Sequence, residues 1–234
     1  MVMSDEKSIP RYVIASNKSW SRRIFEEVIS RYPGRWDLID SPDILNLEYL
    51  QSLDPIFVFF LHWSEKVSED IIDNFECIGF HMTDVPYGRG GSPLQNLILR
   101  GHRKTNLSAI RMTRDFDSGP VYLKKELCLE GNAEEIYIRA TYLAADMIKY
   151  IIFERPNPNP QEGEIVLFKR RRPEESEIPM TGSLLELYDF IRMLDAEGYP
   201  NAFIDYDGFR YEIRRAALYD GRIIADVKIT KLED

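Results

Sequence analysis

The sequence predicts an α/β fold: a Rossmann-like, mostly parallel sheet with helices on both faces, followed by a small C-terminal α+β module. Three observations carry this. Strand-like and helix-like segments alternate through the first half of the chain, the pattern of βαβ units. Residues 56–61 (IFVFFL) are apolar without a break, as in a strand covered on both faces. Beyond residue 180 the order becomes one helix and then strands joined at Asp-Gly pairs, a strong hairpin signal.

Residues 12–15 form the first predicted strand. Ser19 then caps a helix whose Ile24, Phe25, Val28 and Ile29 recur at helical spacing. Residues 36–39 and 56–61 are the next strands, 67–75 a short helix, and 77–80 a strand ending just before His81. In such sheets ligands bind beyond the carboxyl ends of the strands, where His81 stands. A Pro/Gly-rich loop occupies residues 86–93, and Pro93 starts a helix to residue 99, since proline suits a first helical turn. Residues 106–112 and 121–127 read as strands joined by a long turn holding Asp117-Ser118-Gly119-Pro120. Residues 134–153 are a long amphipathic helix with Ile136, Ala140, Leu143, Ala144, Met147 and Ile151 on one side.

Residues 154–160 (ERPNPNP) cannot be regular structure, because each proline removes a donor and restricts its predecessor. This sets the expected organisation: a catalytic domain over 1–154, an ordered connector over 155–180 and a module over 181–234. The module holds a helix at 184–196 and strands at 202–205, 209–214 and 222–229, with turns at Asp207-Gly208 and Asp220-Gly221.

With 234 residues, 44% hydrophobic and 29% charged, the chain has an ordinary globular composition. A net charge of −9 argues against nucleic acid as a partner. Residues 1–10 are polar, without the apolar core of a targeting signal. The longest apolar run is too short to span a bilayer, so no membrane partner and a cytoplasmic location are expected. Cys77 and Cys128 lack metal-ligand spacing and read as core thiols in a reducing compartment. No metal site is expected.

The candidate chemistry lies in FHMTDVPYGRGGSPLQNLILRGH and the later RDFDSGPVYL. His81 supplies an imidazole at a strand end, and Asp117 a carboxylate 36 residues on. Each part has a plain alternative: a lone histidine can be packed, and an aspartate before Ser-Gly can simply shape a turn. The glycines around Arg89 do not match the G-x-G-x-x-G dinucleotide fingerprint.

The combination resembles the formyltransferase family that uses 10-formyltetrahydrofolate, which includes glycinamide ribonucleotide, methionyl-tRNA and nucleotide-sugar enzymes. The family's N-x-H, L-P-x-Y-x-G and D-x-G map onto Gly79-Phe80-His81, Val85-Pro86-Tyr87-Gly88 and Asp117-Ser118-Gly119. The resemblance implies 10-formyltetrahydrofolate as co-substrate and attack of an amine on its formyl carbon. His81 would stabilise the oxyanion and Asp117 would orient His81 and relay protons. Pro86, Tyr87, Gly88, Arg89, Gly90, Gly91 and Asp117 would border the pteridine. Trp63 would flank it or belong to the core, and Lys66 would meet a substrate phosphate or be a plain surface lysine.

The family's asparagine two positions before the histidine is Gly79 here, on the same strand face as His81. Loss of one oxyanion donor commonly costs about 2.7–4 kcal/mol. Asn96 or a water is a candidate replacement, and a non-catalytic folate- or nucleotide-binding homologue is the alternative. From residue 181 onward there are seven Lys or Arg against eleven Asp or Glu, so a tRNA-binding appendage is disfavoured. A nucleotide-linked amino sugar, UDP-bound as in the pseudaminic acid branch, is therefore the expected substrate. A methionyl-tRNA formyltransferase is the alternative, and a homodimer is left open. The run 169–172 (KRRR) reads as a solvated connector or as a neighbour of a pyrophosphate. Tyr199, Phe203, Tyr206, Phe209 and Tyr211 read as core or as a stacking surface for a base.

Overall fold

The computed structural model describes residues 9–232. The polar opening segment therefore lies almost wholly outside the described residues, as does the very end of the C-terminal module. The elements run β1 (Arg11–Ala15), α1 (Ser19–Glu27), β2 (Arg35–Ile39), α2 (Leu47–Leu53), β3 (Phe57–Phe60), α3 (Glu69–Asn74), β4 (Cys77–His81) and β5 (Tyr87–Gly90). They continue with α4 (Pro93–Leu99), β6 (Lys104–Arg111), β7 (Val121–Cys128), α5 (Ala133–Glu154) and β8 (Val166–Phe168). The chain then forms α6 (Leu184–Arg192), β9 (Ala202–Tyr206), β10 (Phe209–Tyr219) and β11 (Arg222–Lys231).

The main sheet has the order β2-β1-β3-β4-β6-β7. Its first four strands are parallel, and β6 and β7 join antiparallel. The sheet is the mixed, mostly parallel type that the alternating segments predict. One face carries Ile14, Phe59 and Ile78 under α1 and α5, which contributes Ile136, Ala140, Ala144 and Ile148. The other carries Val13, Val58, Phe60 and Cys77 against Leu50 of α2 and Ile71 of α3. Burying a Leu or Ile in such layers is worth about 1.5–3 kcal/mol each. Among the described residues no helix is long and apolar enough to cross a membrane.

Helix α5 starts at a reciprocal cap: Asn132 Oδ1 accepts from Glu135 N and Glu135 Oε2 accepts from Asn132 N, both at 2.9 Å. Such a box satisfies two amides that the helix cannot, for about 1 kcal/mol. Ser19 does not cap α1 as expected; the N-cap is Lys18, and the Ser19 hydroxyl donates to Glu197 instead. Helix α6 stops at Arg192, short of residue 196, where tight turns replace it. Cys77 is buried but Cys128 is exposed. Its neighbour Leu127 points inward, and alternate residues of a strand face opposite ways.

Two elements escape the sequence pattern and shape the site. The Pro/Gly-rich loop contains β5, and the connector contains β8, which pairs with it in parallel. The residues just before β8 are tied down as well: Val121 and Asn159 exchange main-chain hydrogen bonds of 2.7 and 2.9 Å. In the module, β11, β10 and β9 form an antiparallel sheet. Asp207 and Gly208 both take positive φ, 51° and 76°, as a two-residue hairpin turn requires.

Candidate active site

Strand β4 delivers His81 at its carboxyl end, 9% exposed. The ring is held on both sides. Its Nε2 lies 2.8 Å from Gly88 O, and since a carbonyl only accepts, Nε2 carries the hydrogen. Its Nδ1 lies 3.4 Å from Asp117 Oδ1, a contact that is attractive when a proton sits between the two groups. The other carboxylate oxygen, Oδ2, accepts from Gly90 N at 2.9 Å. Asp117 thus joins the imidazole to the glycine loop, and His81 and Asp117 come together across the sequence as expected.

Asp117 reaches this position from a backbone at φ 53°, a left-handed conformation that aspartate tolerates better than most side chains. Two residues on, an added Cβ at Gly119 would stand 1.8 Å from Arg111 O, so only glycine lets the turn return against β6. On the histidine side, Thr83 Oγ1 also donates to Gly88 O at 3.3 Å, and Ser108 Oγ donates to Thr83 O at 2.7 Å. These hydroxyls fix the segment between His81 and the loop.

The loop's glycines serve the protein's own chain. An added Cβ at Gly90 would meet Phe168 O at 2.5 Å, and one at Gly91 would meet Arg170 Cβ at 2.4 Å. Their smallness admits β8 and the basic run beside the loop. Pro86 O accepts from Val166 N at 3.3 Å. Tyr87 stands edge-on to Phe168 at 5.4 Å and its hydroxyl meets His102 Nε2 at 3.1 Å. Arg89 turns to Gln161, whose Oε1 accepts from Nε at 3.0 Å and Nη2 at 2.8 Å.

Gly79 shares the His81 face, opposite Ile110 where His81 is opposite Ser108. A Cβ there would lie 3.5 Å from Met112 Cγ and 3.8 Å from its Sδ. The side chain beside the missing amide is thus a thioether, which cannot donate. Asn96 does not fill the role either. Its Nδ2 donates to Gly91 O, Ser92 O and Lys169 O at 3.0–3.2 Å, and its Oδ1 accepts from Arg100 Nη1 at 2.9 Å. Its amide is spent holding α4, the loop and the basic run together, which leaves it no hydrogen for a substrate.

Trp63 packs edge-on to Phe60 at 6.1 Å, and its indole N–H is buried without an acceptor among the described residues. Lys66 is exposed. The neighbouring His62, bonded to Thr141 Oγ1 at 2.9 Å, is pushed down to about 4 by burial. The basic run divides: Arg171 turns in over Phe190 and bonds Ser92 Oγ through its main-chain N–H, while Lys169, Arg170 and Arg172 are exposed. Arg100, whose guanidinium covers Phe168 at 4.5 Å, adds a further cation. In the module, Phe203 is buried and stacked under Arg210, while Tyr206 and Phe209 stay exposed. A cleft of about 350 Å³ there is lined by Glu174, Glu177, Asp205, Arg210 and Glu212 and shares no residue with the His81 loop.

Comparison with known proteins adds an independent line. The family description "Methionyl-tRNA formyltransferase, C-terminal domain" matches residues 173–230. A solved structure of methionyl-tRNA formyltransferase from Clostridium thermocellum is 45% identical, with a TM-score of 0.90 over 95% of this chain and 100% of that one. The methionyl-tRNA formyltransferase of Thermodesulfovibrio yellowstonii is 25% identical over 62% of this chain and 50% of that protein. The chain spans about half the length of the curated relatives it matches. A likely sugar N-formyltransferase from Mycobacterium tuberculosis superposes with a TM-score of 0.67 at 16% identity over 97% of this chain and 99% of that one, which is likeness of fold alone.

These findings overturn two expectations: an amino-sugar substrate attached to UDP, and the absence of a nucleic-acid partner. The charge argument failed because a sum says nothing of location. The exposed cations Arg100, Lys169, Arg170 and Arg172 lie before the module, next to the His81 loop, and a count from residue 181 onward leaves them out.

Proposed function

The chain belongs to the formyltransferase family, and we propose that it moves a formyl group from 10-formyltetrahydrofolate to the amine of methionyl-tRNA, in the cytoplasm. The 45% identity to the Clostridium thermocellum enzyme over nearly the whole chain is the observation that supports this substrate best. The folate would supply the formyl group, held against the segment 86–91 and the Asp117 turn. The buried, unpartnered indole N–H of Trp63 suits an acceptor on such a ligand.

The residues divide the work by position. His81 Nε2 carries a hydrogen at the end of β4 and is the donor for the formyl oxygen as it gains charge. Asp117 keeps the ring oriented, passes the attacking amine's proton to Nδ1 on its side of the ring, stabilises the imidazolium so formed, and returns that proton to the departing folate nitrogen. With no amide at Gly79 and only the Met112 thioether against it, His81 carries the oxyanion without that donor. Arg100, Lys169 and Arg170 offer an unneutralised surface beside the loop for tRNA phosphates, and their contribution is salt-dependent. Lys66 is a further candidate for a phosphate.

The test is formylation of methionyl-tRNA by the purified protein with 10-formyltetrahydrofolate, with uncharged tRNA and free methionine as controls. No formylmethionyl-tRNA from wild type, or equal turnover by His81→Ala, would overturn the assignment.

A further inference from the structure

We propose that Gln161, in the proline-rich stretch after α5, is a positioning residue for the His81–Asp117 pair. The inference rests on the formyl-transfer reading for its kinetic consequence but on geometry for its origin. The Gln161 amide is fully used. Nε2 donates to Asp117 O and to Gly119 O, both at 2.7 Å, and Oε1 accepts the Arg89 fork at 3.0 and 2.8 Å. One side chain therefore fastens the turn that presents Asp117 to the loop that carries Gly88 and Gly90.

These contacts close a ring. His81 Nε2 meets Gly88 O, Arg89 follows Gly88 and binds Gln161, Gln161 binds the main chain of Asp117, and Asp117 returns to His81 Nδ1. The cross-link from Asp117 Oδ2 to Gly90 N lies inside it. The Asp117 backbone is left-handed, so it needs outside support to hold its carboxylate at the imidazole. Gln161 provides that support from a segment without catalytic groups of its own, itself pinned by the Val121–Asn159 main-chain pair. A bidentate amide suits this place because carbonyls on one side need donors and a guanidinium on the other needs an acceptor. Neither glutamate nor leucine meets both demands.

The decisive experiment compares Gln161→Leu and Gln161→Glu with wild type and Asp117→Asn in the full chain. The chain has three histidines, so the imidazole N–H resonances can be assigned, with His81→Asn identifying those of His81. The expected result is that Gln161→Leu broadens or loses the His81 Nε2–H resonance, whose acceptor is Gly88 O, while His62 and His102 keep theirs. In methionyl-tRNA formylation, kcat should fall about tenfold with KM for tRNA within about twofold, since the oriented ring and not the binding surface is disturbed. Gln161→Glu keeps the acceptor for Arg89 but sets oxygen against two carbonyls, so it should be no better than leucine. An unchanged His81 resonance in both variants overturns the proposal, even if the wild type proves to use another amine. So does a loss of kcat fully accounted for by unfolding in thermal denaturation. A wild type inactive on methionyl-tRNA with the resonance lost in the variants would instead overturn the substrate assignment and keep the role of Gln161.

Discussion

Replacing Asp117 by asparagine removes a charge and little else. The amide oxygen can still accept from Gly90 N, so the loop anchor survives. What disappears is the attraction between carboxylate and imidazolium at 3.4 Å. At an effective dielectric of about 20, two unit charges at that distance attract by about 5 kcal/mol. The Asp117 side chain is 22% exposed, and discounting by about half for solvent screening leaves about 2–3 kcal/mol. At 1.36 kcal/mol per decade, kcat should fall roughly 30- to 150-fold. Single-turnover formylation of methionyl-tRNA, with both substrates saturating, measures this without product release. In the double variant His81→Ala/Asp117→Asn the loss should stay close to that of His81→Ala, because the carboxylate acts through the ring. A rate for Asp117→Asn within about threefold of wild type, where about 0.65 kcal/mol separates the two, would refute the idea that this charge serves the reaction.

Three further outcomes follow from the same geometry. Changing Arg100, Lys169 and Arg170 together to alanine should raise KM for tRNA and flatten its salt dependence by roughly one unit of log–log slope per cation lost, as read by titration between low and moderate salt. Gly119→Ala should cost more than about 2 kcal/mol in urea unfolding, because its Cβ would stand 1.8 Å from Arg111 O and the turn must move. His62 is lowered from 6.5 to about 4 by burial. Its contribution is therefore complete above pH 6.5 and is lost as pH falls through that window toward 4, to the order of 3 kcal/mol. In His62→Gln the acid limb of the stability–pH curve should flatten there, and an unchanged limb would show that the imidazole is not buried in neutral form.

Much of the fold was legible because its signals are local and periodic. The run IFVFFL declares a strand covered on both faces, and the Asp-Gly pairs declare the module's turns. Helix α2 was silent because only Leu50 of its residues is buried, too little to write a period. β5 and β8 were silent because a short strand in a glycine loop has no side-chain alternation to read, and its partner lies far along the chain. His81 and Asp117 were legible through a spaced motif. Gln161 and Thr83 were not, since both act on main-chain carbonyls, which leave no complementary residue type to search for. The substrate was misread for a related reason: the count was taken over the module alone, whereas the exposed cations Arg100, Lys169 and Arg170 stand beside the His81 loop, a grouping found only in space.

The two donors on Gly88 O bear on how the imidazole is set free. For Nε2 to reach a formyl oxygen it must let go of that carbonyl, and abandoning a buried acceptor ordinarily costs about 1–3 kcal/mol. Thr83 Oγ1 is already within 3.3 Å and can take the carbonyl over, while Ser108 keeps Thr83 in place. Entry of the formyl group then becomes a relay of partners with no net bond lost, and the threonine sets how readily the histidine changes hands.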